Sequence, residues 1–247
     1  MSLYLSRLTI ARSPAATAIR ALIDPLPDAT RQRLHDPAQG RMMDAHHRLV
    51  WALFGDGPAR KRDFLWRAEG RGRFLALSAR PPAGDGAGLF EPPEVKAFAP
   101  ELREGDVLAF ALRANATRTR VDPARSEKER GRRVDIVMDA IHALPSGRVS
   151  DERREARMTL AQRAGQAWLE AQGDKAGFAV QRSAVADYAV VPLPAHTGPR
   201  RGQPQFGVME LAGEIRVTDP ERLVAQIAEG FGRARAFGCG LMLIRRA

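Results

Sequence analysis

Gly230-Phe231-Gly232-Arg233-Ala234-Arg235-Ala236-Phe237-Gly238-Cys239-Gly240 places four glycines and two arginines in one short segment. Regular patterns flank it. Upstream, Pro220–Glu229 reads as a helix, with Thr218 or Asp219 as N-cap and Pro220 at the first helical position. Downstream, Gly240–Ile244 reads as a final strand. Glycine reaches positive φ and lets an anion approach backbone N–H groups. Arg233 and Arg235 bring positive charge to the same place. A dinucleotide fingerprint needs a strand before the glycines and a helix after, and here that order is reversed. A Walker A loop needs Gly-Lys-Ser/Thr, which is missing. A structural turn is the other alternative, because glycines also serve tight turns.

Further upstream, Val107–Ala114 alternates, with Leu108, Phe110 and Leu112 on one face, as a strand does. A basic stretch, Arg113–Arg133, and Asp135–His142 follow, then a long helix, Asp151–Gln172. Gly177–Val185 and Gly207–Val217 read as strands, the latter with a turn at Gly213. The element order is β-α-β-β-α-β. The first half begins in the same way. Tyr4–Ile10 is a strand, and Arg12–Gly40 is a loop with Pro14, Pro25, Pro27 and Pro37 and a short helix near Ala16–Ile23. Met42–Phe54 has helical spacing and stops at Gly55-Asp56-Gly57-Pro58. Phe64–Ala68 and Arg73–Ser78 are strands, Pro81–Gly88 is a loop, and Pro92–Ala97 is a short helix or an edge strand. The halves share no sequence repeat, only element order. The expectation is an α+β chain of two tandem ferredoxin-like (βαββαβ) domains, 1–99 and 100–247.

The 247 residues carry a net charge of +10, and all but four of the 39 basic residues are arginine. Arginine's rigid fork suits phosphate and the guanine edge. A GC-rich genome also favours arginine, but it does not set the sign of the net charge. A chain this basic is expected to meet a polyanion. No apolar run is long enough to span a membrane, and the N-terminus has no signal-peptide pattern, so a cytoplasmic location is expected. Cys239 alone allows neither an internal disulfide nor a Cys-rich zinc site. No metal and no small-molecule cofactor is expected.

Five histidines are present: His35, His46, His47, His142 and His196. Histidine titrates near neutrality and serves either proton role. His46 shares a helical face with Met42, Leu49, Val50 and Leu53, which makes it a core-edge residue. His47 lies about 100° further round the helix.

Five stretches together resemble one family. They are Tyr4-Leu5-Ser6-Arg7-Leu8-Thr9-Ile10-Ala11-Arg12, His47-Arg48-Leu49-Val50-Trp51-Ala52-Leu53-Phe54, Arg62-Asp63-Phe64-Leu65-Trp66, Leu112-Arg113-Ala114-Asn115 and Ala234-Arg235-Ala236-Phe237-Gly238-Cys239-Gly240-Leu241. In this order, over nearly the whole chain, they resemble the CasE family, the CRISPR RNA-processing endoribonucleases of type I-E (Cascade) systems. The resemblance implies binding of a CRISPR repeat hairpin in pre-crRNA and its cleavage without a metal. The 2′-hydroxyl attacks the adjacent phosphate, leaving a 2′,3′-cyclic phosphate and a 5′-hydroxyl. The product stays bound, and other Cascade subunits are the expected partners.

The family's catalytic histidine stands four residues before a Trp, which points to His47 before Trp51. A tyrosine three residues before that histidine is usual in the family, and Asp44 stands there instead. Asp44 is one turn from His47 and would favour its imidazolium, suiting a general acid. Alternatively it caps the helix. The tyrosine's role of donor to phosphate passes to Arg48 or is lost. From place and charge, Arg113, Asn115, Arg118, Arg120, Arg132 and Arg133 are expected to line a groove for the RNA backbone. Arg200 and Arg201 lie in the loop where the family has a basic hairpin that grips the stem. Gly230, Gly232, Arg233, Arg235, Gly238 and Gly240 complete the expected RNA contacts. Arg153, Arg154 and Arg157 read as a solvated helix face. Three other readings compete. A non-catalytic subunit that holds an RNA hairpin would not need His47. A nucleotide-binding enzyme would use the glycine loop without RNA. DNA binding rests on charge alone, with no helix-turn-helix or zinc-finger pattern behind it.

Overall fold

The computed structural model describes residues 2–23, 37–55, 61–84, 86–120, 131–143, 150–193 and 204–247. The alternation near the N-terminus forms β1 (Tyr4–Thr9), with Ser6 and Leu8 buried on one face. With β2 (Phe64–Gly70), β3 (Arg73–Ser78) and β4 (Glu94–Ala97) it makes an antiparallel sheet in the order β2-β3-β1-β4. Leu8, Phe64, Trp66, Phe74 and Ala76 face a core shared with α1 (Pro14–Ile23) and α2 (Pro37–Trp51), through Ala16 and Val50. Because strand side chains alternate, Leu65 and Leu77 point the other way. They join the larger core of the second half.

That second half holds β5 (Val107–Ala114), β6 (Thr117–Arg120), β7 (Arg132–Asp135), α3 (Ile136–His142) and α4 (Ser150–Ala176). β8 (Phe178–Pro192), β9 (Gln205–Val217), α5 (Pro220–Glu229) and β10 (Met242–Arg246) follow. Its sheet runs β10-β5-β9-β8, all antiparallel. Each sheet therefore has its own first and third strands at the centre, as the expected ferredoxin-like units require. Leu108, Phe110 and Leu112 of β5 meet Leu169 of α4 and Leu223 and Ile227 of α5 in the core. β6 and β7 form a separate two-stranded ribbon.

Four elements depart from expectation. α2 begins at Pro37, so residues 37–40 are helix and not loop. Pro37 leads it, and proline's fixed φ is pre-organised for the first helical position. No helix stands between β3 and β4 among the described residues, so the first unit lacks the second helix of the expected order, and of the two alternatives for Pro92–Ala97 the edge strand is the one formed, at Glu94–Ala97. β8 and β9 are longer than the sequence pattern suggests and pair as far as Pro192 and Gln205. Gly213 is not a turn. It lies inside β9 paired with Ser183, next to a bulge in β8 between Val180 and Arg182, where a Cβ would fall 2.0 Å from the Arg182 carbonyl oxygen.

Candidate functional site

α2 sorts its two histidines as its periodicity predicts. His46 is 4% exposed and meets the rings of Phe74 (5.0 Å between centroids) and Trp66 (6.3 Å) edge-on. His47, on the next face, is part-buried, with its ring 5.8 Å from Trp51 and 6.3 Å from Phe237. Phe237 belongs to the glycine-rich segment, so the fold brings that segment to the histidine. Met43 of α2, Val191 of β8, Val208 of β9 and Cys239 form a small core, and Phe206 and Phe237 pack on it. Burial pushes the Cys239 thiol up to about 12, so it is not a nucleophile at neutral pH.

The segment folds back on itself. The Phe231 N–H donates to the Gly240 carbonyl at 2.9 Å and closes its neck. The Gly240 N–H donates to the Arg113 carbonyl (2.8 Å) and the Arg233 N–H to the Asn115 carbonyl (3.1 Å), tying it to the end of β5. Indole Nε1 of Trp66 on β2 donates to the Ala236 carbonyl at 3.2 Å. The loop thus bridges both sheets, and close approach explains its glycines. A Cβ on Gly238 (φ 75°) would lie 3.1 Å from the Trp66 ring, and one on Gly232 (φ 69°) 2.6 Å from the Asn115 carbonyl oxygen. Gly230 and Gly240 flank the neck. The structural demand on these glycines is therefore explicit. Arg235 is turned inward and donates to the carbonyls of Gly230 (2.9 Å) and Gly232 (3.3 Å), while Arg233 is exposed. Arg235 thereby braces the loop.

Asp44 lies mid-helix in α2, which removes the capping alternative, and pairs with Arg48 at 3.1 Å. Its charge does raise the His47 pKa, but burial and the Arg62 cation outweigh it, and the imidazole is held below its ordinary value of 6.5. The sequence expectation of a favoured imidazolium is therefore reversed: His47 rests neutral and suits a base. Arg62 lies two residues before β2, and its own pKa is lowered by burial and by Arg235. Arg62 and Arg48 thus bring positive charge to the histidine, against the negative charge of Asp44. Arg62 was not a sequence candidate. Its available signal was its place two residues before Phe64, whose ring meets Trp51 at 5.6 Å. A cavity of about 290 Å³ opens here, lined by His47, Arg48 and Trp51.

The other expected RNA contacts divide. Asn115 is buried (4% exposed), with its Nδ2 donating to the Gly207 carbonyl at 2.7 Å. It does not line a groove: just past the end of β5 it bridges to Arg233 of the glycine-rich segment, and its side chain is held against the Gly207 carbonyl of β9. Arg113 is part-buried and donates through Nε to Glu210, which also receives Arg67 Nη2 at 3.3 Å. Sequence patterns gave no sign of that bridge between sheets. Arg118 and Arg120 are exposed and share Asp139 of α3, with Arg120 at 3.1 Å. Those bonds hold the Asp139 carboxyl below its usual range. Arg132 and Arg133 are exposed on β7. Arg200 and Arg201 lie outside the described residues. Another part-buried group escaped the sequence: Asp135 Oδ1 accepts from Val137 and Met138 N–H (both 3.0 Å) and from the Tyr188 hydroxyl (2.8 Å). Among the described residues, no three His, Cys, Asp or Glu side chains converge as a metal site, and no helix is long and apolar enough to cross a membrane.

No curated protein matches this chain. Among solved structures it is similar to the CRISPR endoribonuclease Cse3 bound to a 19-nucleotide RNA, at 22% identity and TM-score 0.60, covering 99% of this chain and 100% of that one. It is similar to Cse3 of Thermus thermophilus bound to an RNA representing a pre-cleavage complex, at 23% identity and TM-score 0.60, with the same coverage. It is also similar to the CRISPR-associated protein Cas6e from Escherichia coli str. K-12, at 20% identity and TM-score 0.57, again covering 99% and 100%. At such identities the likeness establishes a shared fold along the full length. The family model described as CRISPR associated protein matches residues 3–246. The chain belongs to the CRISPR associated protein family.

Proposed function

We propose that this protein is an endoribonuclease that binds the hairpin of a CRISPR repeat RNA and cuts pre-crRNA beside it, keeping the product for other Cascade subunits. The carrying observation is a part-buried His47 that meets Phe237 where α2 reaches the glycine-rich loop, with Arg62 and Arg48 among the charges that act on it. The similar structures, described as RNA-bound CRISPR endoribonucleases, support this reading. Residues 1–99 carry the catalytic helix, and residues 100–247 carry the basic surface and the loop.

In the proposed reaction one imidazole nitrogen of His47 takes the 2′-hydroxyl proton. The 2′-oxygen then forms a bond to phosphorus while the bond from phosphorus to the 5′-oxygen breaks, and water protonates the leaving oxygen. The products are a 2′,3′-cyclic phosphate and a 5′-hydroxyl, and no metal takes part. Arg48, held by Asp44, and Arg62 face the charge that grows on the phosphoryl oxygens. A base positioned in this way contributes about 10²–10⁴-fold. Arg118, Arg120, Arg132, Arg133 and Arg233 offer exposed charge to the RNA backbone, and Arg200 and Arg201, between β8 and β9 in the sequence, are the proposed grip on the stem.

The test is the repeat RNA of the source genome with wild-type and His47→Ala protein in EDTA. Wild type is expected to cut once, 3′ of the stem, and the variant to bind without cutting. The Asp44–Arg48 pair at the tyrosine position favours a second reading, a non-catalytic hairpin-binding subunit. That reading predicts binding by both proteins and cleavage by neither. Absence of hairpin binding at moderate salt refutes both.

A further inference from the structure

Four aromatic rings form a row across the site. Trp51 and His47 stand 5.8 Å apart, His47 and Phe237 6.3 Å, and Phe237 and Phe206 5.3 Å. All four are part-buried, unlike Phe54, Phe64, Trp66 and Phe74 of the neighbouring core, which are buried. Trp51 is seated on Phe64 at 5.6 Å and also lines the cavity with His47 and Arg48. A tryptophan serving only the core would be closed in on both sides, as Trp66 is. The charges around the cavity select its occupant. Arg48 extends into solvent, with its side chain 76% exposed, and Arg62 stands near the histidine. An apolar ligand has no use for these cations, whereas a nucleotide uses both features at once.

We infer that the cavity lined by His47, Arg48 and Trp51 is a subsite for one unpaired nucleobase of the RNA, stacked on the Trp51 indole, with its phosphate beside His47 and Arg48. Resting on the endoribonuclease reading, this deepens it: the base belongs to a nucleotide that flanks the scissile bond. Unpaired RNA bases are commonly splayed onto aromatic side chains, and such stacking tolerates any base. The subsite therefore recognises the junction between stem and single strand and not a letter of the sequence. Stacking also fixes the nucleotide on one side of the phosphate, which limits the geometries open to the 2′-hydroxyl.

The test uses repeat hairpins with a 2′-deoxy nucleotide at the cut site, so that binding is read without cleavage. The two nucleotides that flank the scissile bond are made abasic one at a time. For wild type, one abasic change is expected to weaken binding about tenfold, in the lower part of the range for a stacked base. Trp51→Leu should bind the two RNAs alike, and Trp51→Phe should keep most of the difference. Since Trp51→Leu can also disturb Phe64, 2-aminopurine at the same position is read with wild-type protein. Its fluorescence should fall several-fold on binding. The inference is overturned if neither abasic change weakens wild-type binding by more than twofold, if Trp51→Leu keeps the full difference, or if 2-aminopurine is unaffected. Should any of these occur while wild type still binds and cuts the unmodified repeat, the subsite fails and the endoribonuclease reading stands. If wild type does not bind the repeat, both fail.

Discussion

Replacing Glu210 with Ala tests what joins the two sheets. Glu210 lies on β9, accepts from Arg113 Nε on the adjacent β5, and accepts from Arg67 Nη2 on β2 of the other sheet. The three side chains are 24%, 25% and 19% exposed. Burial already disfavours the Arg67 cation, and Glu210 is the main influence that restores it. Without the carboxylate, two poorly solvated cations face each other. Removing one partner of a fully buried ion pair costs about 3–5 kcal/mol. Residual solvent screening lowers this, so we expect a loss of about 2–3 kcal/mol. For a chain of this size that is a fall in Tm of roughly 5–10 °C. Urea unfolding of wild type, Glu210→Ala and Glu210→Gln measures it, with the glutamine variant falling between the others. Arg67→Met is the contrasting change. Arg67 Nη1 is buried with no hydrogen-bond partner among the described residues, and Glu210 keeps Arg113 when Arg67 is gone. This variant should lose under about 1 kcal/mol, since replacing a poorly satisfied buried cation by an apolar chain is often near neutral. A Glu210→Ala protein within about 0.5 kcal/mol of wild type, or an Arg67→Met loss as large as that of Glu210→Ala, refutes the reasoning.

Three further outcomes follow from the same geometry. Cleavage by wild type should rise with pH through a His47 pKa below 6.5 and then level off, because the neutral imidazole is the active form. Arg62→Ala should shift that limb to higher pH in single-turnover rate profiles, since Arg62 is the largest charge opposing imidazolium. Gly238→Ala should cost about 1–3 kcal/mol and alter tryptophan fluorescence, because it strains a φ of 75° and presses a Cβ on Trp66. Asp135→Asn should stay within about 0.5 kcal/mol of wild type at neutral pH, because an amide oxygen can accept the same three bonds, whereas Asp135→Ala should lose about 2–4 kcal/mol. Burial raises the Asp135 pKa, so folding favours its protonated form. That contribution is full below the unfolded value of 3.8 and is lost as pH rises through the folded one. The asparagine variant should lack this fall in a plot of stability against pH.

Local chemistry made much of this protein legible from its residues. Asp219 caps α5 through Arg222 N–H with Pro220 first in the helix, and β1, β3 and β5 fall where their alternation places them. The 100° step between His46 and His47 separates a buried core residue from a part-buried neighbour on the next face. Such features depend on φ and ψ, on periodicity and on caps, all set by residues a few positions apart. Only the tertiary structure decided that the glycine-rich loop lies against Trp66, that Asn115 is buried while Arg113 is spent on Glu210, and that Arg62 outweighs Asp44 in holding His47 neutral. Each of these is a meeting of groups distant in the chain. Which faces close on one another, and how much water remains between them, follows from the packing of both sheets together, and burial sets both the strength of those charges and the cost of leaving them unpaired.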